Sequence, residues 1–166
     1  MKKITAFLTA LTCALCAMTT AAAAVSDTDP YYGNQTYLAA TGFDAMWQAG
    51  YDGDGARIAV IDTGLYLGHE EFAGSRIEAG ANMLDRSGDT EDTSGHGTFV
   101  TSILCAGRGN GLGFSGLADR AVIIPIKCFS SEKDTDAKYI VDAIYKAVDE
   151  YHCDIINFSL GIFHDL

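Results

Sequence analysis

Two residues of this 166-residue chain stand where chemistry could begin, Asp62 and His96. Asp62 closes the apolar stretch from Arg57 to Ile61 and is followed by Thr63 and Gly64. In open α/β sheets, functional groups gather at the carboxyl ends of strands, where loops part into a crevice. A carboxylate half buried there needs a hydrogen-bond donor, and an imidazole N–H is a suitable one. The plainer role for such an aspartate is a turn or helix cap. His96 lies between Gly95 and Gly97 and opens a helical pattern. The two glycines permit close backbone approach. A helix N-terminus disfavours imidazolium, so the position suits a neutral ring that acts as a base. On its own it reads equally as a surface histidine.

The elements that must position this pair follow from periodicity. Arg57 to Ile61 reads as a strand, entered through the Gly/Asp turn cluster "GYDGDG". Arg76 to Met83 is a second strand, followed by a polar loop from Asp85 to Gly95. Val100, Ile103 and Leu104 recur at helical spacing, which predicts a helix from His96 to Ala106 ending at Gly107. After the glycine-dense "GRGNGLGFSG", the run "AVIIPIKCF" has the continuous apolar character of a buried parallel strand. "TDAKYIVDAIYKAVDEY" predicts an amphipathic helix with Ile140, Ala143, Ile144, Ala147 and Val148 inward, and "DIINFSLGIF" a final strand over 154–163. Strand, helix, strand, helix, strand is the pattern of a wound parallel sheet.

Taken together, "IAVIDTG" and, some thirty residues on, "SGHGTFV" resemble the Asp and His boxes of the subtilisin-like serine proteases, the subtilases. "DIINFSLG" resembles that family's substrate-binding strand, and "DPYYGNQTYL" with "GFDAMWQAGYDGDG" the opening of its catalytic domain, so the likeness runs from Asp29 to Gly161. The resemblance implies a doubly wound α/β fold with a mostly parallel sheet, cut short after the substrate-binding strand. It implies serine-type endopeptidase chemistry in which Asp62 orients the imidazole and His96 relays the proton. It also implies that Ser159, Leu160 and Gly161 pair with a polypeptide substrate in extended conformation by strand addition. No cofactor is needed for that chemistry. A structural calcium is implied at Asp29, Glu71 and Asn110, with carbonyls of Leu112 and Phe114; Glu71 stands where Asp is more usual.

The sequence departs from the family in specific places. No "GTS" box supplies the nucleophilic serine and no later Asn helps to hold an oxyanion, so the chain by itself is expected to be inactive. Ile162 replaces a glycine usual after the pocket strand, and no room for a pro-domain precedes "DPYY". Two other readings compete. One is a non-catalytic secreted peptide-binding module. The other is a metal hydrolase built on Asp62, His69, Glu70 and His96, although "HEE" lacks a second histidine at helical spacing.

The bulk properties agree with an exported hydrolase. Lys2 and Lys3, the apolar run from Ile4 to Met18 and the small residues Ala21 to Ala24 form the pattern of a signal peptide over 1–24, leaving 25–166 as the N-terminal part of a peptidase domain. Beyond residue 24 there are nine basic against 22 acidic residues, a net charge of −13, which argues against nucleic acid or an anionic membrane as partner. Cys105, Cys128 and Cys153 lie in apolar segments at wide spacing, which suits buried free thiols, with one bridge and one leftover thiol as the other arrangement.

Overall fold

The computed structural model describes residues 28–130 and 135–159. Its centre is a parallel sheet. Strand β1 (Arg57–Asp62) is flanked by β4 (Val122–Lys127) and β5 (Ile155–Asn157), and β2 (Arg76–Ile77) and β3 (Ala81–Asn82) both lie along the far side of β4. The order β2-β4-β1-β5 leaves β1 in the interior, with Asp62 opposite Lys127 at its carboxyl end.

Both faces of the sheet are covered, as the unbroken apolar runs require. Ile58 and Val60 pack with Leu65, Phe72, Cys105, Ala121 and Ile123 on the face that carries helix α3 (His96–Cys105). Ala59 and Ile61 point the other way, into Ile124, Ile126, Cys128, Ala143 and Ala147, beneath helix α4 (Ala137–Tyr145). One strand thus feeds two cores through alternate residues, and this is the doubly wound arrangement expected from the sequence. Two short helices, α1 (Thr36–Thr41) and α2 (Phe43–Gln48), precede the sheet and are broken apart at Gly42, whose φ is 78°. They are anchored by Leu38, 2% exposed, and by the Trp47 indole N–H, which donates to the Leu117 carbonyl at 2.9 Å. No helix among the described residues is long and apolar enough to cross a membrane.

Two expectations need correction. The strand foreseen over Arg76 to Met83 is split in two. Ile77 pairs with Ile123 and Ala81 with Ile126, so the edge segment holds one residue more than β4 between these pairs. The break faces Pro125, which has no N–H to give to a neighbour. There Gly80 passes so near the Pro125 carbonyl that a Cβ would lie 1.6 Å from its oxygen. The second correction concerns α4. Ala143 and Ala147 are fully buried, but Ile144 is 40% and Val148 50% exposed. The small alanines let the helix sit close on the sheet and turn the larger residues outward. The helix then widens into a π-helical turn, Lys146–Glu150.

Of the strand foreseen over 154–163, Ile155–Asn157 is formed, and residues from 160 onward lie outside the described residues, as does the leader over 1–24. Cys105, Cys128 and Cys153 are all free thiols. Burial pushes the Cys105 and Cys128 thiols up to about 12, so neither forms an appreciable thiolate near neutral pH.

Candidate functional site

Asp62 ends β1 with its carboxylate 1% exposed. Its Oδ1 accepts the Thr63 N–H at 2.7 Å and faces Nδ1 of His96 at 2.8 Å. A carboxylate can only accept, so Nδ1 carries the proton and the outer nitrogen, Nε2, keeps its lone pair. The His96 side chain is 49% exposed. One nitrogen is therefore held from within the protein while the other faces the open side. Such a ring can take a proton from a group brought against it, and the buried charge of Asp62 then offsets the positive charge that forms. Oδ2 of Asp62 is buried and has no hydrogen-bond partner among the described residues.

The approach of the two elements depends on glycine. A Cβ on Gly97 would stand 2.2 Å from the Gly64 carbonyl oxygen and 3.1 Å from Cβ of Asp62. Gly64, at φ 115°, lies against the next loop, where a Cβ would meet the Thr90 carbonyl at 2.3 Å. The "DTG" and "GHG" boxes thus meet in one steric fit: a side chain at 97 would hold α3 away from the end of β1, and one at 64 would push off the loop over 90–92.

Three polar residues that sequence reasoning missed complete this junction. Thr63 accepts the Gly97 N–H at 2.9 Å and donates its hydroxyl to Asp92 Oδ1 at 2.9 Å. Asp92 also accepts the N–H groups of Ser94, Gly95 and Thr98, each at 2.9 Å, and the Thr98 hydroxyl at 2.6 Å. Burial alone pushes the Asp92 carboxyl up, but the bonds from Thr98, Gly95 and Ser94 outweigh it and bring it down to about 2. The loop is pinned from beneath as well: Leu65 N–H donates to the Thr90 carbonyl at 2.8 Å, and the buried Lys127 ammonium donates to the Glu91 carbonyl. The spacing of "DTSGHGT" held the signal, an Asp placed to make an Asx turn ahead of a helix whose N-cap glycine has no side chain.

The other anticipated residues fall as follows. Asn157 on β5 lies opposite Val60 of β1, so Ser159, two residues on, emerges at the Asp62 end of the sheet, bonded to the Asn157 side chain at 3.3 Å. Leu160 and Gly161 lie outside the described residues. Asp29, Glu71 and Asn110 are drawn together around the glycine-rich loop. Asp29 accepts the Gly109 and Gly111 N–H groups at 2.8 and 3.0 Å and the Ser115 hydroxyl at 2.5 Å. Glu71 accepts from the Asn110 amide at 3.2 Å and from Phe114 N–H at 3.3 Å. Both carboxylates are buried, at 3% and 6% exposure, and neither has an ion-pair partner among the described residues. Two buried carboxylates with a nearby amide and carbonyls are oxygen donors of the kind that a hard divalent cation takes, although each carboxylate oxygen already accepts a hydrogen bond. As placed, however, Asn110 turns its oxygen to Leu112 N–H at 2.7 Å, so ligation requires its amide to swing.

The metal-hydrolase alternative is overturned. Among the described residues no three His, Cys, Asp or Glu side chains are grouped to hold a metal, so Asp62, His69, Glu70 and His96 do not form a centre. His69 instead caps a short 3-10 turn, its Nδ1 accepting Glu71 N–H at 3.3 Å.

Comparison with known proteins gives a consistent picture. The subtilase family profile matches residues 53–165. A thermophilic serine proteinase of Bacillus sp. (strain AK1) is 32% identical over 140 residues, covering 84% of this chain and 34% of the relative. The major intracellular serine protease of Bacillus subtilis (strain 168) is 35% identical over 121 residues, covering 70% of this chain and 37% of the relative. The chain thus spans about a third of the length of these curated relatives. Among solved structures, a protease of Pseudoalteromonas arctica PAMC 21717 superposes with a TM-score of 0.73 over 81% of this chain and 50% of its own, at 23% identity, a likeness of fold.

Proposed function

The chain belongs to the subtilase family, and from that premise we propose that Asp62 and His96 are the orienting carboxylate and the proton-transferring histidine of an Asp-His-Ser triad in a serine-type endopeptidase. The observation that carries this reading is the 2.8 Å contact between a buried carboxylate and the inner nitrogen of a half-exposed imidazole. In the proposed reaction a serine hydroxyl passes its proton to Nε2 of His96 as its oxygen attacks the scissile carbonyl. Asp62 holds the ring in the tautomer that leaves Nε2 free and stabilises the imidazolium. His96 then returns the proton to the departing amine. Ser159, Leu160 and Gly161 bind the extended peptide beside this pair, a role supported by the emergence of Ser159 at the Asp62 end of the sheet.

The serine and the oxyanion-holding Asn have no box in this sequence. In our reading the 166 residues alone do not turn over substrate, because the nucleophile and the oxyanion donor would have to come from a segment bearing those boxes. A gene product that includes a downstream "GTS" segment should cleave an unfolded protein substrate, and residues 1–166 alone should not. Cleavage by the 166-residue chain would refute the assignment.

A calcium ion at Asp29, Glu71 and Asn110 is proposed as a structural tie between the N-terminal segment and the loop over 107–115, supported by two buried carboxylates that have no ion-pair partner among the described residues. Residues 1–24 are proposed as a secretory leader. Relatives include proteases named as intracellular and as extracellular, so the N-terminal sequence of exported material is the test.

A further inference from the structure

Helix α3 begins without a side-chain cap. Its N-cap residue is Gly95, at φ 90°, which has no side chain to bond the first-turn amides. Those amides are nevertheless satisfied: Gly97 N–H by the Thr63 hydroxyl and Thr98 N–H by Asp92 Oδ2. The two caps are joined, because the Thr63 hydroxyl donates to Asp92 Oδ1. Thr63 directly follows Asp62, and Gly97 directly follows His96. The bonds through Asp92 therefore connect the backbone on either side of the two functional groups. Thr98 extends the link, donating its hydroxyl to Asp92 Oδ2 and accepting Tyr66 N–H at 3.0 Å from the segment beyond β1.

We infer that Asp92 is a positioning residue: by bracketing Thr63 at the end of β1 and Thr98 at the start of α3, its carboxylate fixes the His96 ring against Asp62 with Nε2 outward. Asp92 touches neither ring nor carboxylate in this role; it sets the distance between the elements that carry them. Asparagine would not reproduce the bracket. Each carboxylate oxygen faces backbone N–H groups, and an amide in either orientation sets an NH2 against one such group. The inference rests on reading Asp62 and His96 as the carboxylate and histidine of a catalytic triad, and its test separates the two claims.

Nε2 is the atom that diethyl pyrocarbonate acylates, so the rate at His96, read by peptide mass spectrometry on the full chain, reports the lone pair that Asp62 keeps available. His69 and His152 in the same digest serve as internal references. Asp62→Asn should slow His96 by about threefold or more relative to both references, as loss of a fixed orientation requires. Asp92→Asn and Thr98→Val should slow it comparably, and Thr98→Ser, which restores the hydroxyl, should return the unsubstituted rate. A normal His96 rate in Asp92→Asn and Thr98→Val, beside a slowed Asp62→Asn, would overturn the positioning role and leave the pair standing. A normal rate in Asp62→Asn would overturn the pair itself. If Asp92→Asn unfolds and all three histidines speed up together, the Thr98→Val and Thr98→Ser comparison decides.

Discussion

At the scale of single residues, the charge on Asp92 has a consequence for pH. Its carboxyl titrates near 2 in the folded chain, held down by bonds that exist only when loop and helix are in place. In the unfolded chain an aspartate titrates near ~4. The folded value is the lower one, so the stabilisation is fully present above the unfolded value and is lost as pH falls toward the folded value. Unfolding by denaturant should therefore show stability declining from about pH 4 downward. Asp92→Asn should be less stable near neutrality and flatter across that range; an unchanged acid limb would contradict the assignment. Thiol chemistry gives a second residue-scale expectation. Cys105 and Cys128 are buried with thiols raised to about 12, and Cys153 is half-buried. Of these three thiols, iodoacetamide on the native chain should alkylate Cys153 first and reach Cys105 and Cys128 only with denaturant, as peptide mass mapping would show.

At the scale of elements, the controlling contact is α3 against the end of β1. Gly97→Ala places a methyl 2.2 Å from a backbone carbonyl that cannot step aside without moving Gly64 and the loop it touches. The expected cost is about 2–3 kcal/mol in denaturant unfolding. A loss within measurement error would mean that the helix can back away freely. Gly74 has open space around its Cα, and Gly74→Ala should show no such steric penalty. This contact also explains what the sequence could and could not reveal. Strand end, helix start and flanking glycines are local patterns that made Asp62 and His96 candidates, and the ordered boxes resembling those of the subtilases joined them into a pair. Both apolar strands of the interior, Arg57–Asp62 and Val122–Lys127, were legible as local apolar runs. Thr63 was not, because its role exists only once residues 29 positions apart meet, whereas Asp92 had a local signal in its spacing to Gly95 and Thr98 that sequence reasoning missed. The break between β2 and β3 was harder to see: Gly80 marks a point of close approach within Arg76 to Met83, but the proline that it meets lies on another strand. On α4, periodicity marked an apolar stripe but not which part of it the sheet would choose.

At the scale of the whole molecule, one flank of the described structure is apolar and open. Val141, Ile144, Tyr145 and Val148 recur along α4 and its π-turn at exposures of 40–64%. Among the described residues β5 pairs only with β1, and it leaves Ile155 51% and Phe158 42% exposed. An apolar edge strand and an exposed apolar helical stripe each recruit other polypeptide. Residues 1–166 alone should associate as concentration rises, visible as a growing weight-average mass in sedimentation. A monomer that stays monodisperse over a hundredfold concentration range would contradict this.

The central claim is that Asp62 and His96 are the carboxylate and histidine of a serine-peptidase triad. Its most direct test is labelling by a fluorophosphonate serine probe of a gene product in which this sequence continues into a "GTS" segment, with and without His96→Ala. The account predicts covalent labelling of the unsubstituted protein, a fall of roughly a thousandfold or more in labelling rate for His96→Ala, and no labelling of residues 1–166 alone. Undiminished labelling of His96→Ala, or strong labelling of the 166-residue chain, would contradict it.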